Sequence, residues 1–235
     1  MAVIHHTIHQ HGQRELVQAA LQRAPVLAQM MSELLLGLRQ QLVGPYSYWE
    51  IPGGPAWWTA LARSFGIIAD QRDAADGIAQ IARAYRGAAR IIQSPACVIT
   101  KVSDGWGYSP LGAAMAPYQY EIGVGPAFLS GGANDYSQIS NSCPTPNDTG
   151  ILRATTLIHE AVHWHNRIDG HSSIGIRRDP YNYEFFIFEI CCMPPASTID
   201  DYRRDPQAAG DHGSTGFGPS RIVGRFRRPG PVGLG

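Results

Sequence analysis

The chain has 235 residues, enough for one large domain or two small ones. Apolar residues make up 44% and charged residues 16%, which excludes wholesale disorder. Basic and acidic residues both number 19, and a net charge of zero argues against a nucleic-acid binder that works by bulk electrostatics.

Residues 1–11 carry His5, His6, His9 and His11 and read as a solvated N-terminal arm, with a metal-binding arm as the alternative because His5 and His9 stand four apart. Residues 12–43 show helical periodicity through Leu16, Ala20, Leu27, Met31, Leu34 and Leu38. Pro25 is expected to divide this stretch into two helical pieces. Residues 44–56 read as an ordered loop, followed by a short helix near 57–64 and a longer one over 70–93. The β-branched run 97–102 and the segment 118–124 read as strands, and 130–149 as a long polar loop. A helix over 150–167 follows, with Asp148 or Thr149 available as its cap. Asp179-Pro180 offers a cap and first turn for a helix reaching about 193. Residues 203–235 are rich in Gly, Pro and Arg and read as a tail. The domain reading is therefore an arm at 1–11, one domain at 12–202 with a helical part (12–95) and a catalytic part (96–202), and the tail.

The stretch between Val26 and Leu38 is interrupted by Gln29, Ser32 and Glu33, so no membrane span is expected. The N-terminus shows no basic region followed by an apolar one, so no secretory signal is expected. Cys97, Cys143, Cys191 and Cys192 form no C-x-x-C pair, so a zinc ribbon is not expected, and free, packed thiols are the simpler reading.

Chemistry concentrates in Thr156-Leu-Ile-His-Glu-Ala-Val-His-Trp-His-Asn166. It contains H-E-x-x-H: His159 and His163 share one helical face and can hold one zinc ion, while Glu160 can take a proton from the attacking water and pass it to the leaving amine. A catalytic zinc needs a third protein ligand. Glu184 is the leading candidate, because a carboxylate inside the apolar run 181–190 is costly to bury unless it pairs or binds metal. Asp169, Asp179, Glu189 and a further histidine are the alternatives, and either Glu184 or Glu189 can instead orient a ligand histidine. His165 points about 200° from His163 around the helix and makes a poor co-ligand. His171 falls in the following loop, where a substrate or oxyanion role has nothing further to support it.

The segment Ile122-Gly-Val-Gly-Pro-Ala-Phe-Leu129 followed by Thr156–His163 resembles the zincin metallopeptidases, over roughly residues 97–193. Within them it is most similar to deuterolysin-like peptidases and to bacterial effector metallopeptidases, both injected type III effectors and the peptidase domains of type VI secretion spikes. The deuterolysin-like signature G-T-x-D-x-x-Y-G is not reproduced, and Arg178-Asp-Pro-Tyr-Asn-Tyr-Glu184 holds its Asp and tyrosines in another register, favouring Glu184 over Asp179.

The resemblance implies an α+β zincin-like fold, with a helical N-terminal half and a small mixed sheet whose edge strand lies next to the H-E-x-x-H helix. It implies one Zn²⁺ per chain and a peptidase acting on a protein or peptide. It also implies secretion without a classical signal into a periplasm or host cytosol, with secretion machinery or an immunity protein as partners and no nucleic acid. Within that frame Tyr183 or Tyr181 is expected to stabilise the oxyanion. Residues 120–129 are expected to be the sheet edge that adds substrate as a strand. A zinc amidase acting on cell-wall peptides and a non-enzymatic module with a vestigial metal site are the rival readings.

Overall fold

The computed structural model describes residues 1–42, 54–67, 72–103, 107–108, 119–130, 149–168 and 175–191. In chain order these form β1 (Val3–Ile4), α1 (His11–Leu42), α2 (Gly54–Phe65), α3 (Ala74–Gln93), β2 (Cys97–Lys101), β3 (Gly107–Tyr108), β4 (Tyr120–Val124), α4 (Pro126–Leu129), α5 (Thr149–Asn166) and α6 (Pro180–Cys191). The architecture is α+β, with helices dominating and one small sheet.

Helix α5 is the centre of the packing. Every residue from Ile151 to His163 is buried, as expected of a helix enclosed on all sides. Helices α1 and α3 pack on each other and both pack on α5, while α6 lies between α5 and α2. Small residues of α3 (Gly77, Ala82, Ala88) sit in its buried face beside Ile78, Ile81, Tyr85 and Ile92. The Ser32 hydroxyl of α1 donates to the Ala82 carbonyl at 2.9 Å.

Two expectations about the N-terminal half are corrected. Residues 1–11 are not a solvated arm: Val3 and Ile4 pair in parallel with Val98 and Ile99, and Ala2 and Ile8 are buried. Pro25 does not divide α1, which runs continuously from His11 to Leu42. A proline inside a helix removes one backbone hydrogen bond and costs about 3 kcal/mol. Burial of Val17, Leu21, Ala24, Ala28, Met31 and Leu35 along a single face offsets that cost.

The sheet order is β1-β2-β4-β3. Strands β1, β2 and β4 are mutually parallel, and β3 is antiparallel to β4 through Gly107↔Val124 and Tyr108↔Gly123. The segment 120–129 is therefore not the sheet edge. Strand β4 is flanked on both sides, and the chain leaves it at Gly125-Pro126 to form α4, because Pro cannot donate to a ladder but is favoured in a first helical turn. Among the described residues the edge on this side is the short strand β3. Expected loop 130–149 and tail 203–235 lie almost wholly outside the described residues, as do Asp148, Cys143 and Cys192. Cys97 is a buried thiol in β2, and burial pushes its pKa up to about 12. No helix among the described residues is long and apolar enough to cross a membrane.

Candidate metal centre

His159, Glu160 and His163 project from the buried middle of α5 with relative exposures of 1%, 0% and 5%. Burying three titratable groups in one helix is costly unless each finds a partner. The two imidazoles lie one turn apart, with ring centroids 5.1 Å from each other.

The way α5 ends fixes the second histidine. Arg167 has φ 53° and is the one non-glycine residue with positive φ among the described residues. The Ile168 amide then donates back to the His163 carbonyl at 3.1 Å, closing a Schellman-type stop. This turn brings the Ile168 carbonyl to 3.0 Å from His163 Nδ1. A carbonyl only accepts, so in this bond Nδ1 carries the proton and Nε2 keeps its lone pair. The stop is tied further by Asn166 Nδ2 donating to the Arg178 carbonyl at 3.0 Å and Arg178 donating to the Asn166 carbonyl at 2.9 Å.

Helix α6 meets α5 at the first histidine. Glu184, 3% exposed, places Oε2 at 3.3 Å from His159 Nδ1. Its other oxygen lies 3.4 Å from the Thr155 hydroxyl, which also donates to the Leu152 carbonyl at 2.8 Å and stands one helical turn before His159. Burial, and then the nearby Glu160 charge, push the Glu184 carboxyl up to about 8, with the Thr155 hydrogen bond opposing them. On the same face of α6 the Tyr181 ring stands edge-on to His159, with centroids 4.6 Å apart.

Glu160 faces the sheet edge. A Cβ built on Gly107 of β3 would lie 2.5 Å from Glu160 Oε1 and 2.9 Å from Thr156 Cγ2, so only glycine lets the edge strand approach this closely. Trp164, also on α5, donates from its indole to the Glu121 carbonyl of β4 at 2.6 Å and holds the helix against the sheet.

The other expected residues fall as follows. Tyr183 does not join this cluster. Its ring packs edge-on against Phe65 and Tyr85, its hydroxyl donates to the Arg177 carbonyl at 2.8 Å, and burial pushes its pKa up. Tyr181 is the tyrosine beside the histidines. Asp179 is the N-cap of α6, with Oδ1 accepting from the Tyr181 amide at 3.1 Å. His165 lies across Gly87 of α3, where burial and the Arg83 and Arg90 charges lower its pKa. Asp169 and His171, and the side chain of Glu189, lie outside the described residues.

Three features of the donor set bear on a zinc ion. Both imidazoles are buried, the Ile168 carbonyl is within hydrogen-bond distance of His163 Nδ1, and the Glu184 carboxyl stands 3.3 Å from His159 Nδ1. No group of three His, Cys, Asp or Glu residues among the described residues is arranged to hold a metal ion. Two contributors were not legible in the sequence: Gly107, because a two-residue strand leaves no periodic signal, and the Ile168 carbonyl, because a main-chain group has none. No family model, curated protein or solved structure matches the chain.

Proposed function

We propose that the protein is a zinc-dependent metallopeptidase in which His159 and His163 are metal donors and Glu160 is the general base and acid. The observation that carries this reading is the position of Glu160, fully buried next to His159 in the motif and pressed against β3 at Gly107. Zinc supplies Lewis acidity at such a site. Glu160 takes a proton from the attacking water and returns it to the leaving amine, a contribution of about 10²–10⁴-fold in rate. Tyr181, beside His159, takes the oxyanion role given to Tyr183 or Tyr181 on sequence grounds. An extended peptide adds along the open side of β3, pairing main chain to main chain. The resemblance to secreted effector peptidases carries the remaining part of the proposal, that the protein acts in a target cell.

The test is hydrolysis of an unfolded protein and a peptide library by the zinc-incubated full chain, beside Glu160→Gln. The proposal expects cleavage by the wild type and a loss of about 10²-fold or more in the variant, with zinc content unchanged. Equal cleavage by the two, or none by a zinc-loaded wild type, would overturn it.

A further inference from the structure

We infer that Glu184 is a positioning residue for His159 rather than a third metal ligand, and that the motif's two histidines are both held by Nδ1 so that both present Nε2. The inference rests on the metal reading above and revises the ligand expected at position 184.

Two independent contacts carry it. The Ile168 carbonyl, delivered by the stop at Arg167, occupies the Nδ1 side of His163. Glu184 occupies the Nδ1 side of His159 at 3.3 Å. The partners differ, one a main-chain carbonyl after α5 at hydrogen-bond distance and the other a carboxyl group from α6 at ion-pair distance, yet each lies on the Nδ1 side of its ring. On one helical face, histidines four apart that are fixed by Nδ1 turn their Nε2 atoms to the common side. A carboxylate that ligated the same metal would have to approach from that common side.

The Thr155 contact supports this placement. Thr155 precedes His159 by one turn, whereas His163 follows it by one turn. Glu184 is thus anchored between Thr155 and the first ring, on the side of His159 remote from His163. It stands beside the pair and not between its members. Acceptors of this kind fix ring orientation and raise ligand basicity, and their loss costs about 10–100-fold in metal affinity without removing a ligand.

The experiment uses the full chain as wild type, Glu184→Gln and Glu184→Ala, with zinc affinity read by chelator competition and the donor set read from the visible spectrum of the cobalt(II) form. The glutamine amide oxygen still accepts from Nδ1, so Glu184→Gln is expected to bind one equivalent within about tenfold of wild-type affinity. Glu184→Ala is expected to bind about 10–100-fold more weakly. Both are expected to keep the wild-type cobalt band positions. The wild type gives a further readout that does not depend on either variant folding. Its cobalt form is expected to show two strongly shifted exchangeable proton resonances, one for each Nδ1–H.

A changed cobalt spectrum or lost stoichiometry in Glu184→Gln, or fewer than two such resonances in the wild type, overturns the inference and leaves the metal reading standing. A wild type that takes up neither zinc nor cobalt overturns both.

Discussion

Gly107 and Glu160 are in such close approach that a single methyl group on the glycine would occupy space 2.5 Å from the carboxylate oxygen. The edge strand among the described residues and the proposed catalytic base are thereby packed too closely for a side chain at position 107.

Gly107→Ala is predicted to push Glu160 and the edge strand apart. A misplacement of about 1 Å at a catalytic group can cost about 10²-fold in rate, and overpacking costs about 1–3 kcal/mol in stability. Turnover of a peptide substrate should therefore fall far more than zinc affinity, because the three atoms nearest the new methyl group belong to Glu160 and Thr156 and none to a histidine. Equal losses in kcat/KM and zinc affinity would contradict this.

The sequence showed the helices and the motif but not how they close on each other. The period of Ile78, Ile81, Ala82, Tyr85 and Ile92 marks α3 because a long amphipathic helix repeats its signal many times. Pro25 misleads because local chain energetics favour a break, and only the packing of both halves of α1 on α3 and α5 outweighs it. Val3 and Ile4 form too short a run to be distinguished from a tail until β2 is beside them. Residues 120–124 read as a strand, yet whether a strand is inner or outer depends on Gly107 and Tyr108, which carry no alternation of their own. At the site, H-E-x-x-H fixes the three α5 residues by spacing alone. Choosing Tyr181 over Tyr183 required the face that α6 turns towards α5, which an all-round apolar helix does not reveal.

Arg167 holds a left-handed conformation, φ 53°, that costs a non-glycine residue about 1–2 kcal/mol. Arg167→Gly is predicted to stabilise the protein by about 0.5–1 kcal/mol, since glycine is the favoured residue at this position of a Schellman stop. Urea unfolding measures it, with a raised midpoint and an unchanged slope. A destabilisation of similar size would mean that the arginine side chain contributes more than its backbone strain costs.

Tyr85 donates its hydroxyl to the Tyr183 carbonyl at 2.6 Å inside the junction of α3 and α6. Tyr85→Phe keeps the ring contacts with Tyr183 and Phe186 and removes this bond. A loss of about 1–2 kcal/mol is expected, read as a drop of about 2–4 °C in Tm for each kcal/mol. A Tm within error of wild type would show that the bond adds nothing net.

Glu184 titrates near 4.5 in the unfolded chain and about 8 in the metal-free fold, chiefly because it is buried and secondly because Glu160 is near. The folded pKa is the higher one, so folding takes up a proton between these values. Stability of the metal-free protein is then unaffected by this group at low pH and falls as pH rises through the window, with a limiting slope of about 1.4 kcal/mol per pH unit. Glu184→Gln cannot titrate and should flatten that slope. Urea unfolding of both proteins in the presence of a chelator, across the window, checks it; identical slopes would contradict the assignment.

The most direct measurement is elemental analysis of the purified full chain after zinc incubation and removal of free metal. The account predicts about one zinc per chain, retained in Glu160→Gln and lost in His159→Ala and in His163→Ala while both keep the helical circular dichroism of the wild type. Zinc below about a tenth of an equivalent in the wild type, or undiminished zinc in the two histidine variants, would contradict the assignment of this site as a metal centre.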